Sequence, residues 1–292
     1  MKLTIVTINR NNCSGLKDTI ISVLNQSFRQ FEYIIIDGAS TDGSLEAIYD
    51  CLCLDDQNRI PLGETTLNGM AIKWLSESDS GIYNAMNKGC KMAKGDYVLM
   101  LNSADTLLDK EVIGKVIPHL EDTDIIQGNI LYRKDDHLFR FRGYATSDIG
   151  LNEVFGGAFV HQASFISRSL LERVGYYDDS YSKNADTYFF ITALGLNDAT
   201  FRYIDLDVSM FDMHGISNDP EWAELDKAEN ERFFNSAIPH RLYDYYQYAQ
   251  KRISFYDSLH RSRFIWHFAV LLSMLDRKIN GPLRKEHGEV VH

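Results

Sequence analysis

Apolar and polar positions come in alternating blocks from the first residue. Residues 3–8 are a β-branched apolar run bounded by Asn9-Arg10-Asn11-Asn12, which predicts a buried strand ending in a polar loop. Leu16, Ile20, Val23 and Leu24 then fall on one helical face over residues 16–26, the pattern of an amphipathic helix. Residues 32–36 form a second apolar strand closing at Asp37-Gly38, and 44–52 a second helix capped by Thr41 or Asp42. A third strand is predicted at 72–77, and a third helix at 82–93 with the stripe Ile82, Ala85, Met86, Gly89, Ala93. Gly95-Asp96 breaks that helix before a fourth strand at 97–101. This alternation predicts an α/β protein with a mostly parallel central sheet, right-handed crossovers and flanking helices. Residues 58–68 and 130–152 read as loops. From 221 to 248 the period is helical, with Glu221, Glu224, Asp226, Lys227, Glu229, Glu231 and Arg232 assigned to solvated faces.

Composition narrows the class. A chain of 292 residues with 45% hydrophobic and 24% charged positions is an ordinary globular protein of one large domain or two modest ones. The expected division is a main domain over 1–218, with halves 1–105 and 106–218, and a helical extension over 219–292. Thirty Lys and Arg against 41 Asp and Glu give a net charge of −11, without the basic footprint that nucleic-acid binding needs. Cys13, Cys51, Cys53 and Cys90 are too sparse for a disulfide scaffold, and Cys51 and Cys53 lack the spacing of a zinc site. The N-terminus turns polar too soon for a signal peptide, so the expected compartment is the cytoplasm.

The polar clusters coincide with the carboxyl ends of the predicted strands: Thr7-Ile8-Asn9, Asp37-Gly38, Glu77-Ser78-Asp79 and 102–105. Ligands of open parallel sheets bind at those ends, so a nucleotide site is expected there. Neither a G-x-x-x-x-G-K-[ST] nor a G-x-G-x-x-G following the first strand occurs, which excludes kinases, GTPases and ordinary dinucleotide dehydrogenases. A nucleotide diphosphate held without a glycine-rich loop calls for a divalent cation on a strand-end carboxylate.

Several motifs in order carry a specific resemblance: Thr7-Ile8-Asn9-Arg10-Asn11, Ser22-Val23-Leu24-Asn25-Gln26-Ser27-Phe28, Ile36-Asp37-Gly38-Ala39-Ser40-Thr41-Asp42-Gly43, the run 76–89, Ala93-Lys94-Gly95-Asp96-Tyr97 and Leu101-Asn102-Ser103-Ala104-Asp105. Over residues 1 to about 215 the chain resembles a family 2 glycosyltransferase of the GT-A, Rossmann-like fold, of the kind found in bacterial surface-polysaccharide assembly. The resemblance implies inverting transfer of a sugar from a nucleotide-diphosphate sugar, a UDP-sugar foremost, to a hydroxyl of a saccharide or lipid-linked saccharide. Asp105 would ligate Mn2+ or Mg2+. Thr7, Asn9, Asp37, Asp79, Tyr83, Asn87, Lys88, Asn102 and Ala104 would line the nucleotide and donor pocket. Two positions depart from the family pattern: Gly38 stands where many members carry a second Asp, and Ala104 replaces one of two adjacent carboxylates. The alternative role for Asp105 is to cap a helix beginning at Thr106.

On the acceptor side, 156–165 resembles a family strand and 176–190 its segment with paired acidic residues. An alcohol needs a carboxylate to take its proton, and Asp186, opening an apolar helix, is the candidate base, a role compatible with capping that helix. His161 and Gln162 are acceptor-side candidates, with His161 alternatively a hydrogen-bonded core residue. His214, in a loop after the last core strand, would reach the metal or a phosphate. The run 264–275 is short of the roughly 20 apolar residues that span a bilayer. Arg261, Arg263, Arg277, Lys278, Arg284 and Lys285 flank it, which suits a helix over 261–285 lying on the inner face of the plasma membrane. A homodimer contact and burial on its own domain stay open beside it. Two other functions stay open: a non-catalytic nucleotide-sugar-binding protein derived from a transferase, and a sugar nucleotidyltransferase.

Overall fold

A computed structural model of the protein describes residues 1–134, 137–212, 223–261 and 274. The chain runs β1 (Leu3–Asn9), α1 (Cys13–Leu24), β2 (Glu32–Asp37), α2 (Ser44–Cys51), β3 (Leu62–Leu67), β4 (Met70–Ser76), α3 (Ile82–Met92) and β5 (Tyr97–Met100). There follow β6 (Thr106–Leu107), α4 (Val112–Val116), β7 (Ile125–Lys134), β8 (His137–Phe141), α5 (Leu151–Gly156), β9 (Ser164–Ser167), α6 (Arg168–Val174), α7 (Ala185–Leu196), β10 (Phe201–Asp212), α8 (Ala223–Ala237) and α9 (His240–Arg261). The strands form one sheet in the order β3-β4-β2-β1-β5-β9-β7-β10-β6, with β8 also on β7.

The block β4-β2-β1-β5 is parallel throughout, as the strand–helix alternation predicts. Both faces of β1, β2 and β5 are buried, which is why these strands read as unbroken apolar runs. Helix α3 lies so close on β1 that any side chain at Gly89 would strike Val6. Beyond β5 the sheet is mixed: β9 is antiparallel to both β5 and β7, β10 is parallel to β7, and β6 is antiparallel to β10.

Two segments expected as loops are hairpins. β3 pairs antiparallel with β4 across Asn68-Gly69, whose φ values of 51° and 85° suit the left-handed two-residue turns that Asn-Gly favours. β3 is an edge strand with exposed alternate residues, so it carries no apolar run to mark it. Likewise β7 and β8 pair from Ile130–Phe141 to Lys134–His137. Thr106 lies in a short strand rather than a helix, so Asp105 caps nothing. Helix α2 starts after Gly43 at φ 90°, with no side-chain cap from that residue. Asp42 still accepts the N–H of Ser44 at 3.1 Å.

The structure divides into two compact units, Met1–Ile238 and Pro239–His292. The first includes α8, past the sequence-based division at 218. In the second, α9 starts after Pro239, which lacks the N–H a continuous helix needs, and exposes Tyr245, Tyr248 and Ile253. Among the described residues no helix is long and apolar enough to cross a membrane. His214 and, apart from Met274, the apolar run 264–275 lie outside the described residues.

Candidate active site

The floor of the site follows from strand register. Asn9, Asp37 and Ser76 stand side by side at the carboxyl ends of β1, β2 and β4. Asp37 is fully buried and accepts four hydrogen bonds: from Asn9 Nδ2 (2.9 Å), Ser40 N (3.0 Å), Ser40 Oγ (2.6 Å) and Ser76 Oγ (2.7 Å). Thr7 is buried and accepts a bond from Tyr33 Oη at 3.0 Å. Asp79, its side chain 4% exposed, lies 3.6 Å from Arg10 Nη1 and accepts from Gly81 N at 3.1 Å. Its carboxylate occupies the space a Cβ at position 38 would take. Glycine at 38 leaves room for that carboxylate.

Neighbouring β5 ends in a tight turn. Ser103 N donates to Ile8 O (3.0 Å), Ala104 N to Gly15 O (3.1 Å) and Asp105 N to Asn102 O (3.0 Å), while Thr19 Oγ1 donates to Asp105 O (2.7 Å). Ala104 is left-handed, with φ 78°, and Asp105 is buried. The side-chain oxygens of Asn9 and Asn102, at adjacent strand ends, are buried with no hydrogen-bond partner among the described residues. Buried polar groups are seldom left so. Among the described residues no group of three or more His, Cys, Asp or Glu side chains is arranged to hold a metal by itself.

Helix α7 presents Asp186 in its first turn. The cap position is Asn184, so the expected capping role of Asp186 falls two residues upstream. Asp186 Oδ2 lies 2.9 Å from His161 Nδ1 and Oδ1 accepts from Tyr83 Oη at 2.9 Å. Tyr83 Oη also bonds the Lys183 carbonyl. The other ring nitrogen of His161 is 3.2 Å from Asn102 Nδ2, so one imidazole links the end of β5 to α7. Burial alone pushes the Asp186 carboxyl up, but the His161 and Tyr83 hydrogen bonds and the His161 charge outweigh it and hold it below the ordinary value. Burial likewise depresses His161, and Asp186, with a smaller contribution from Asp105, raises it overall. The Asp186 side chain remains 21% exposed, open enough to meet a substrate hydroxyl.

Thus Tyr83, Asn102, His161 and Asp186 come together in one network. Asn87 does not join it: its amide clasps the backbone of Tyr177 in both directions, at 2.7 and 3.0 Å. Lys88 bonds Ser78 O and Glu77, each at 2.8 Å. Gln162 is buried, with its carbonyl accepting from Ser209 Oγ at 2.7 Å.

One residue assigned to a solvated face is not on one. Glu229 is 6% exposed, and its carboxylate accepts the N–H groups of Ser182 (2.6 Å), Lys183 (3.1 Å) and Asn184 (3.4 Å). Asp226, Glu229, Asn230 and Phe233 share one face of α8 at i, i+3, i+4 and i+7. Phe233, stacked on Tyr188 at 4.2 Å, was the apolar mark of the inward face.

Residues 4–180, more than half of the chain, match the model of glycosyl transferase family 2. The chain belongs to that family. Among its relatives are an uncharacterised glycosyltransferase of Mycobacterium tuberculosis, 29% identical over 75% of this chain and 78% of the relative, and a PGL/p-HBAD biosynthesis glycosyltransferase of Mycobacterium bovis, 26% identical over 74% and 78%. S. aureus TarS 1-349 in complex with UDP-GlcNAc superposes with a TM-score of 0.59 at 16% identity, over 82% of this chain and 68% of that one. Without ligand the same TarS segment is covered over 60% of its length. The mannosyltransferase PcManGT of Pyrobaculum calidifontis, in complex with GDP-Man and Mn2+, gives 0.58 at 15% identity, over 94% and 80%. The protein is a family 2 glycosyltransferase with the GT-A fold.

Proposed function

We propose that this glycosyltransferase moves a sugar, with inversion, from a uridine diphosphate sugar to a hydroxyl of a saccharide or lipid-linked saccharide, with Asp186 as general base. The observation that carries the reading is the Asp186 carboxylate itself. It is held charged by His161 and Tyr83, partly open, and joined through His161 to the Asn102–Asp105 turn. As the acceptor oxygen attacks the anomeric carbon, the bond from that carbon to the diphosphate breaks and its electron pair leaves with the diphosphate. The hydroxyl proton passes to Asp186. A carboxylate held below its ordinary pKa suffices, because the attacking hydroxyl becomes strongly acidic as its new bond forms. The UDP-GlcNAc complex of TarS supports the choice of nucleotide.

The donor side fits a divalent cation. Asp105 contributes a buried carboxylate and Asn102 an orphaned carbonyl oxygen on the same turn, and hard cations complete their shells with phosphate oxygens and water. Bound Mn2+ or Mg2+ would neutralise charge on the departing diphosphate. PcManGT, similar in fold, holds Mn2+ with its nucleotide sugar. The basic flanks of 264–275 support peripheral attachment on the cytoplasmic membrane face through 261–285.

Asp186→Asn tests the base. General-base catalysis contributes about 10²–10⁴-fold, so transfer falls by that factor while nucleotide affinity, measured by calorimetry, stays near wild type. Transfer above roughly a tenth of the wild-type rate, outside that range, overturns the assignment.

A further inference from the structure

We propose that Glu229, on α8 and outside the segment that matches the family model, is a positioning residue that sets the aim of Asp186. The proposal rests on Asp186 being the base. The loop before α7 brings three successive backbone N–H groups, Ser182, Lys183 and Asn184, onto the Glu229 carboxylate. These backbone donors precede α7, and buried loop donors need acceptors. The cap residue Asn184 makes no side-chain cap bond, and its amide goes instead to Asp226 on α8. Glu229 and Asp226 therefore tie the loop that leads into α7 to a distant helix.

The consequence reaches the carboxylate through one peptide. Lys183 gives its N–H to Glu229, and its carbonyl shares the single Tyr83 hydroxyl hydrogen with Asp186 Oδ1. Displacing that peptide displaces Tyr83 and with it one of the two side-chain groups that orient Asp186. Helix α8 holds both flanks of this loop. Arg232 sits 3.7 Å over the Tyr181 ring and donates to Ser180 O at 3.1 Å, while Asn230 accepts from Tyr188 Oη at 3.2 Å. A buried carboxylate with three charge-assisted bonds and, among the described residues, no ion pair is costly to desolvate. Packing alone does not call for a carboxylate here; fixing three donors at once does.

Glu229→Gln keeps the shape and replaces one accepting oxygen by an NH2 that confronts N–H donors. Glu229→Asp keeps the charge and withdraws it by one methylene, a second variant should the first fold poorly. The expected result for each is a fall in kcat of about ten- to a hundredfold, the scale of a sub-ångström to 1 Å misplacement, with the dissociation constant for UDP unchanged within twofold. In Asp186→Asn the same change produces no further loss, because residues acting through one group are not additive. Ile238→Ala, which empties a buried position just past α8, lowers the melting temperature and leaves kcat intact. Three results overturn the proposal: unchanged kcat in both Glu229 variants, an equal kcat loss in Ile238→Ala, or full additivity on Asp186→Asn. If Asp186→Asn itself retains transfer, the base assignment fails instead, whatever the Glu229 variants do.

Discussion

Asp37 and Asp186 are held in opposite ways. Asp37 is saturated by near neighbours: its partners Asn9, Ser40 and Ser76 lie at the ends of β1 and β4 or in the turn that follows β2. Parallel register alone delivers two of them, since Asn9, Asp37 and Ser76 are paired across adjacent strands. Asp186 has no such register. Its two side-chain partners come from α3 and from the turn before β9, 103 and 25 residues away, and its loop is tied to α8. A carboxylate closed by four donors is a structural tie. Asp186, with two side-chain partners and a partly exposed flank, is the carboxylate proposed as the base.

Removing each carboxylate should expose that difference. Asp37→Ala strands the donors of Asn9, Ser40 and Ser76. Hydrogen bonds to charged groups contribute about 1.5–3 kcal/mol each and add less than fully, so a loss near 4 kcal/mol is expected. Urea denaturation checks it; a loss under about 1 kcal/mol, no more than one ordinary hydrogen bond, breaks the comparison by showing that Asp37 is no tie. Asp186→Asn should instead lose transfer and little stability, the reverse profile.

A smaller, pH-dependent effect sharpens the Asp186 side. His161 is raised above the ordinary 6.5 and Asp186 lowered below 3.8. For the histidine, folding favours the protonated form, so its contribution is complete below pH 6.5 and is lost as pH rises through the raised value. For the aspartate, folding favours the ionised form, so its contribution is complete above pH 3.8 and is lost as pH falls through the lowered value. The pair therefore supports the fold best between these limits, and stability should decline above pH 6.5. His161→Asn should flatten that alkaline decline. Melting temperatures from pH 5 to 9 measure it, and an undiminished decline in the variant means that another group titrates.

What the sequence disclosed follows the same division. The parallel block was legible because strands buried on both faces write themselves as apolar runs, and their ends as polar clusters. The carboxylates at 37, 105 and 186 were found by type and motif order. Hidden were the features made by distance. β3 shows only alternation on an exposed edge, although Asn68-Gly69 marked its turn. The hairpin 130–141 fully buries only Ile130, with Tyr132 and Phe141 half-buried against the core. Glu229 read as one more surface acid, because its local mark was a single apolar residue, Phe233 one turn on, and the loop it holds lies 45 residues upstream. Asn87 was assigned to the pocket for its place in a motif, and the structure shows that amide closing on Tyr177.

The smallest expected effect lies where local chemistry and backbone disagree in the otherwise consistent donor half. Ala104 sits at φ 78°, a left-handed conformation that costs an L-residue with a Cβ about 1–2 kcal/mol. Its N–H is fixed to Gly15 O and the next residue is Asp105, so the turn cannot relax without moving that carboxylate. The Ala104 methyl also fills space beside Gly15, whose own Cβ would come within 2.8 Å of it. Glycine at 104 removes the strain but adds freedom to the unfolded chain, an opposing effect of about 0.4–1 kcal/mol. Ala104→Gly should therefore gain under about 1 kcal/mol in a urea midpoint, with Mn2+-assisted UDP affinity unchanged because Asp105 keeps its place. A variant less stable than wild type shows that the methyl contact with Gly15 outweighs the backbone strain, and that position 104 is alanine for packing.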